Sequence, residues 1–86
     1  MDWIVYGLIC KRGSELCVYI GITNNWEKRK AAHFEGKGAK FTKSFPPIKG
    51  APLLTGLNKS QALRMEAKYK KFSNGEKIKL IEKSIK

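Results

Sequence analysis

Tyr6, Tyr19, Arg29, His33 and Glu66 have the side-chain types that phosphodiester hydrolysis needs. A carboxylate can hold a divalent cation that neutralises charge developing on a leaving oxygen. A guanidinium can fork onto a phosphate and stabilise the transition state. A phenol or an imidazole can manage the proton of an attacking water; a phenol starts near pKa ~10 and needs neighbouring positive charge to approach neutrality. Spacing gives these residues weight. Arg29 and His33 are four apart and share a helix face with Trp26, where apolar side chains are expected. The arginine's charge cannot be relieved by losing a proton. Glu66 falls on a stripe with Ala62, Leu63 and Tyr69. A carboxylate taken out of water costs several kcal/mol unless it is paired or bound to a cation. A structural ion pair with a nearby lysine or arginine would also account for it, as would a slight rotation of the helix toward solvent. A lone histidine, likewise, is more often a core residue than a catalyst.

The elements that must position these side chains follow from the pattern. "WIVYGLIC", residues 3–10, is an apolar, β-branched and aromatic run that suits a buried strand. "KRGSE" reads as the turn, and residues 16–23 return as a second strand of an antiparallel hairpin. Tyr6 and Tyr19 thus lie on adjacent strands. Asn24 with Glu27 has the spacing of a capping box, opening a helix over about 25–35 that stops at Gly36. "GKGAKFTKSFPPIKG" has no sustained period and reads as a basic loop, touching extended structure near Lys40–Thr42. "APLLTGL", residues 51–57, is a third strand. Asn58 with Gln61 opens a second long helix through about Phe72, and Ser73 with Glu76 opens a third, in which Ile78, Ile81 and Ile85 share a face. The expected fold is α+β: a small three-stranded antiparallel or mixed sheet flanked by helices, in the order β-β-α-β-α-α.

Composition narrows the partners. The 86 residues read as a single domain over 1–86, and a chain of this size buries only about 60–65% of its unfolded surface. Hydrophobic residues make up 42% of it, enough for a packed core and too many for a disordered chain. Eighteen lysines and arginines against seven acids give a net charge of +11, which favours a polyanion through counterion release; nucleic acid is the commonest such partner. No apolar run is long enough to span a membrane, and no basic amphipathic helix with an aromatic face stands out. The start, "MDWIVYGLI", carries an acid where a secretory leader carries basic residues, so a cytoplasmic location is expected. Cys10 and Cys17 suit neither a disulfide scaffold nor a four-ligand zinc site, and read as reduced thiols on neighbouring strands.

"IVY" at 4–6, "YIG" at 19–21, "NNWEKRKAAHF" at 24–34, "GKGAKFT" at 36–42 and "ALRMEAKYKKF" at 62–72 occur in that order. Together they resemble the GIY-YIG endonuclease superfamily, most closely its small single-domain members. The likeness runs from Trp3 to about Ile81. It implies that Tyr6 matches the tyrosine of the first motif, and Tyr19 and Gly21 the second. It matches Arg29 to the family's catalytic arginine, His33 to a frequent helix histidine, and Glu66 to the metal-binding glutamate. It further implies phosphodiester cleavage with one magnesium (or manganese) ion per site. The first motif departs from the pattern, with Ile-Val-Tyr in place of Gly-Ile-Tyr, but keeps its tyrosine.

The leading expectation is a metal-dependent DNA endonuclease, with RNA left open as a substrate. Gly21 permits close approach of backbone or substrate, and Lys37, Lys40 and Lys43 are expected on phosphates. Eighty-six residues leave no room for a separate recognition domain, so low intrinsic sequence specificity is expected. Targeting would come from a partner protein or a homodimer. Cutting both strands requires a dimer or two binding events. The alternative is a non-cleaving nucleic-acid-binding module that keeps the fold and works through Lys37, Lys40, Lys43 and Lys49. A third class, an adaptor for an acidic protein, is carried only by the net charge.

Overall fold

The run Trp3–Cys10 lacks alternation because β1 (Trp3–Arg12) is the central strand, with a layer of helices on each face. The computed structural model describes residues 2–85. The sheet has the order β2-β1-β3, with β2 (Glu15–Thr23) and β3 (Pro47–Leu57) both antiparallel to β1; no strand pair in it is parallel. Tyr6, Leu8 and Cys10 point to one face, where they meet Cys17, Tyr19, Trp26, Phe41 and Phe45. Val5 and Ile9 point to the other, where Ala62 and Ile81 are buried. The first face carries α1 (Trp26–Phe34) and α2 (Lys40–Ser44). The second carries α3 (Lys59–Lys70) and α4 (Asn74–Ile85).

The hairpin turn is shorter than "KRGSE" suggests. Only Gly13 and Ser14 are unpaired, and Arg12 lies opposite Glu15. Gly13 has φ 61 while Ser14 has no positive φ, the pattern of a two-residue turn led by glycine. It sets a register in which Tyr6 faces Gly21 and Leu8 faces Tyr19, so the two tyrosines are diagonal neighbours on one face. Cys10 and Cys17 fall directly opposite each other as buried free thiols. Burial pushes the Cys10 thiol up to about 12 and raises Cys17 as well, so neither is a ready nucleophile.

Helix α1 is capped one residue later than expected. The Thr23 hydroxyl accepts from the Asn25 backbone N–H at 3.0 Å, which carries the bend past Asn24. Asn25 is then the cap, its side chain accepting from Lys28 N at 3.2 Å, and Glu27 sits in the first turn. At the far end Gly36 has φ 78; its N–H donates to His33 O and that of Lys37 donates to Ala32 O, closing a Schellman turn. The capping boxes at Asn58–Gln61 and Ser73–Glu76 both form.

Three expectations need correction. The segment around Lys40–Thr42 is helical, since α2 is a single short turn of helix, too brief to leave a period in the sequence. The third strand begins at Pro47 rather than at 51. As an edge strand it tolerates Pro47 and Pro52, whose missing N–H groups a central ladder would not permit. On α4, Ile81 is buried and Ile78 packs beside it, but Ile85 is 42% exposed at the helix end.

Candidate active site

Tyr6, Arg29 and His33 are in contact. The Tyr6 hydroxyl lies 2.7 Å from His33 Nε2, and Arg29 Nε donates to the Tyr6 oxygen at 3.4 Å. α1 brings Arg29 and His33 to Tyr6 because its Trp26–Arg29–His33 face packs on the sheet, with the Trp26 and Tyr6 rings 5.1 Å apart. Gly21 makes room for this. A Cβ there would come 2.5 Å from the Tyr6 hydroxyl, so the close approach this glycine permits is that of Tyr6. Tyr19 completes the wall, its ring centroid 5.1 Å from that of His33 and 6.3 Å from that of Tyr6. The two phenols differ in access: Tyr6 is 1% exposed, whereas Tyr19 is half-buried.

Electrostatics follow from this packing. Burial pushes Tyr6 up to about 12, against the hydrogen bond from Arg29, which lowers it. The hydrogen bond to Tyr6 in turn holds Arg29 above its ordinary value. Burial, helped by the Arg29 charge, lowers His33 to about 4, so its ring is neutral at physiological pH. The unfolded chain protonates this histidine at pH 6.5 and the folded chain only at about 4. Between those values the unfolded state binds more protons, so stability rises with pH. The full contribution is present above about 6.5 and is lost as the pH falls toward 4. Urea unfolding should show a loss on the order of 3 kcal/mol across that window, flattened in a His33→Gln protein.

Glu66 is not in contact with this cluster. It sits on α3, across the sheet from α1, and makes no hydrogen bond with Tyr6, Arg29 or His33. Its carboxylate is near enough for its charge to help raise Tyr6. The buried stripe of α3 runs through Ala62, Met65 and Tyr69; Leu63, expected on it, is 47% exposed. Glu66 flanks that stripe with its side chain 20% exposed, paired at 3.4 Å with the exposed Lys70. With its lysine on the solvent side, an i,i+4 pair of this kind is worth only tenths of a kcal/mol.

Lys37, Lys40 and Lys43 are exposed on the α1–α2 connection and on α2. Lys49 is committed elsewhere, to Glu82 of α4 at 3.0 Å. Thr42 lies outside the residues that spacing singles out, yet it is buried, with its hydroxyl 2.8 Å from His33 Nδ1. The available signal was its place at the end of "GKGAKFT", directly after the helix that carries His33.

Residues 2–86 match the GIY-YIG catalytic domain. The chain belongs to the GIY-YIG family. Its substrate class is therefore nucleic acid, and its family chemistry is that of a nuclease. Relatives cover nearly the whole length. The UPF0213 protein NMA2126 of Neisseria meningitidis is 38% identical over 99% of this chain and 90% of its own. The UPF0213 protein SH2523 of Staphylococcus haemolyticus is 42% identical over 91% of this chain and 92% of its own. A third, Reut_B5558 of Cupriavidus pinatubonensis, is 39% identical over 90% and 82%. Their names state no activity. No solved structure matches the chain.

This GIY-YIG domain offers a single carboxylate, Glu66, as a donor for a hard cation. Among the described residues there is no cluster of three or more histidine, cysteine or acidic side chains. Glu66 is one carboxylate, largely covered and paired with the exposed Lys70. Magnesium is commonly bound through one or two carboxylates, with water and substrate phosphate filling its other positions, and Glu66 fits that mode. No helix among the described residues is long and apolar enough to cross a membrane.

Proposed function

We propose that this protein is a divalent-metal-dependent DNA endonuclease of low intrinsic sequence specificity, acting in the cytoplasm. The reading is carried by Arg29. Its Nε donates to the Tyr6 hydroxyl at 3.4 Å and Tyr19 lies close beside it, and a guanidinium oriented between two phenols can fork onto a phosphate. Arg29 also lines a shallow pocket with Thr23, Asn24, Asn25, Lys28 and Ala32, beside the start of α1, where a helix terminus favours an anion. Tyr19, as the half-buried phenol, hydrogen-bonds and orients the attacking water, and only as the phenolate, its own proton already released to solvent, does it accept the water's proton. Tyr6 and His33 form the buried pair that holds Arg29. Glu66 holds one magnesium or manganese ion, which when bound would neutralise charge developing on the leaving oxygen. Lys37, Lys40 and Lys43 bind flanking phosphates. Cutting both strands of a duplex would use a homodimer or successive encounters, with targeting supplied by a partner.

The test is a cleavage assay on supercoiled plasmid, branched DNA and a matched RNA, with and without magnesium. DNA cutting that stops with chelator and returns with magnesium or manganese is the expected result. Steeply salt-dependent binding with no cutting would instead favour a non-cleaving binding module.

A further inference from the structure

His33 is the only histidine of the chain, and its ring lies between two hydroxyls, those of Tyr6 and Thr42. A neutral imidazole has one N–H donor and one bare acceptor nitrogen, so the two hydroxyls cannot play the same role toward it. The Thr42 hydroxyl lies 3.2 Å from Ala39 O, the carbonyl three residues back, and donates to it. Its oxygen is then free to accept from His33 Nδ1–H. That leaves Nε2 bare, to accept the Tyr6 proton, and leaves the Tyr6 oxygen to accept from Arg29 Nε. Every donor in the chain Arg29–Tyr6–His33–Thr42–Ala39 has an acceptor. The opposite tautomer would make Tyr6 accept from both His33 and Arg29. Its own proton would then have no acceptor within hydrogen-bond distance among the described residues, in a side chain only 1% exposed.

We infer that Thr42 is a positioning residue that locks His33 in the Nδ1-protonated tautomer, and through Tyr6 sets the orientation of Arg29. The "GKGAKFT" segment thereby acquires a physical task. Gly38 brings the backbone against the imidazole, where a Cβ would come 2.5 Å from Nδ1. The single turn α2 then presents Thr42 to the same nitrogen. The consequence for cleavage rests on the phosphate-binding role of Arg29; the tautomer itself does not.

The experiment reads the two separately. Ring nitrogen NMR of the full chain gives one histidine spin system. In the unaltered protein Nδ1 should appear protonated and Nε2 bare. Thr42→Val, close in shape but without the hydroxyl, should shift the ring toward the other tautomer or a mixture, and Thr42→Ser should restore it. Cleavage by Thr42→Val should fall roughly 10–100-fold in kcat, the size found for partners that orient metal-bound imidazoles, with KM little changed and activity recovered in Thr42→Ser. Bare Nδ1 in the unaltered protein would overturn the inference, whatever the variants do. So would an unchanged tautomer in a folded Thr42→Val. A tautomer that shifts as expected in a protein that cleaves nothing would leave the inference standing and sink the nuclease reading.

Discussion

Glu66→Ala protein should cut DNA at least about 10³-fold more slowly than the unaltered chain at saturating magnesium, with its unfolding midpoint nearly unchanged. The size follows from removing the carboxylate proposed to hold the ion; Lewis-acid neutralisation of a leaving oxygen is worth several kcal/mol of barrier, and each 1.4 kcal/mol is roughly tenfold. The unchanged stability follows from what Glu66 does in the fold. It flanks the buried stripe of α3, and the contact it loses is a pair with Lys70, whose side chain is 57% exposed. The two readouts therefore separate. A matching Lys70→Ala change should leave cutting intact, which removes the ion pair as an explanation. Full activity in folded Glu66→Ala would end the metal-binding role of this residue.

Arg29→Ala should lower cleavage by about 10²–10³-fold or more, as expected for losing a preorganised donor aimed at transition-state charge. Arg29→Lys should rescue little. A lysine brings the charge, but it lacks the planar fork and the Nε that Tyr6 engages. His33 provides an internal control. The Arg29 charge is one of the two causes that lower its pKa, so Arg29→Ala should move the His33 titration upward from about 4 while leaving burial to hold it below 6.5. NMR titration of the single histidine measures this directly. Competent cleavage by Arg29→Ala would refute the phosphate clamp even if the titration moved as expected.

Much of the architecture is legible in the sequence because its signals are local. Asn58 with Gln61 and Ser73 with Glu76 each satisfy backbone donors within three residues, so the starts of α3 and α4 follow from residue type and spacing alone. The cap of α1 does not, because Asn24 and Asn25 are equally suitable by type, and the choice is made by the Thr23 hydroxyl. α2 is hidden for a related reason. Five residues are too few to show a helical period, and the turn is tied through Thr42 to a histidine nine positions away. The site divides along the same line. Arg29 and His33 stand out because polar groups interrupt an inward face, and the structure does bring them to Tyr6. Glu66 stands out on α3 by the same test, yet its stripe contains Met65 in place of Leu63 and lies on the far side of the sheet from α1. Helix periodicity finds a face; it does not say which side of a sheet that face covers.

The two-residue turn at Gly13–Ser14 touches none of the residues that matter for chemistry, yet it decides whether they meet. Side chains of a strand alternate between faces, so the number of residues between Tyr6 and Tyr19 determines whether both tyrosines look toward α1. One residue added at the turn makes that count wrong. Either a bulge absorbs the insertion, or Tyr19 exchanges places with its neighbours and is delivered to the α3–α4 side. The domain thus carries a parity requirement, and its tolerance to length change at the hairpin tip is set by arithmetic as much as by sterics.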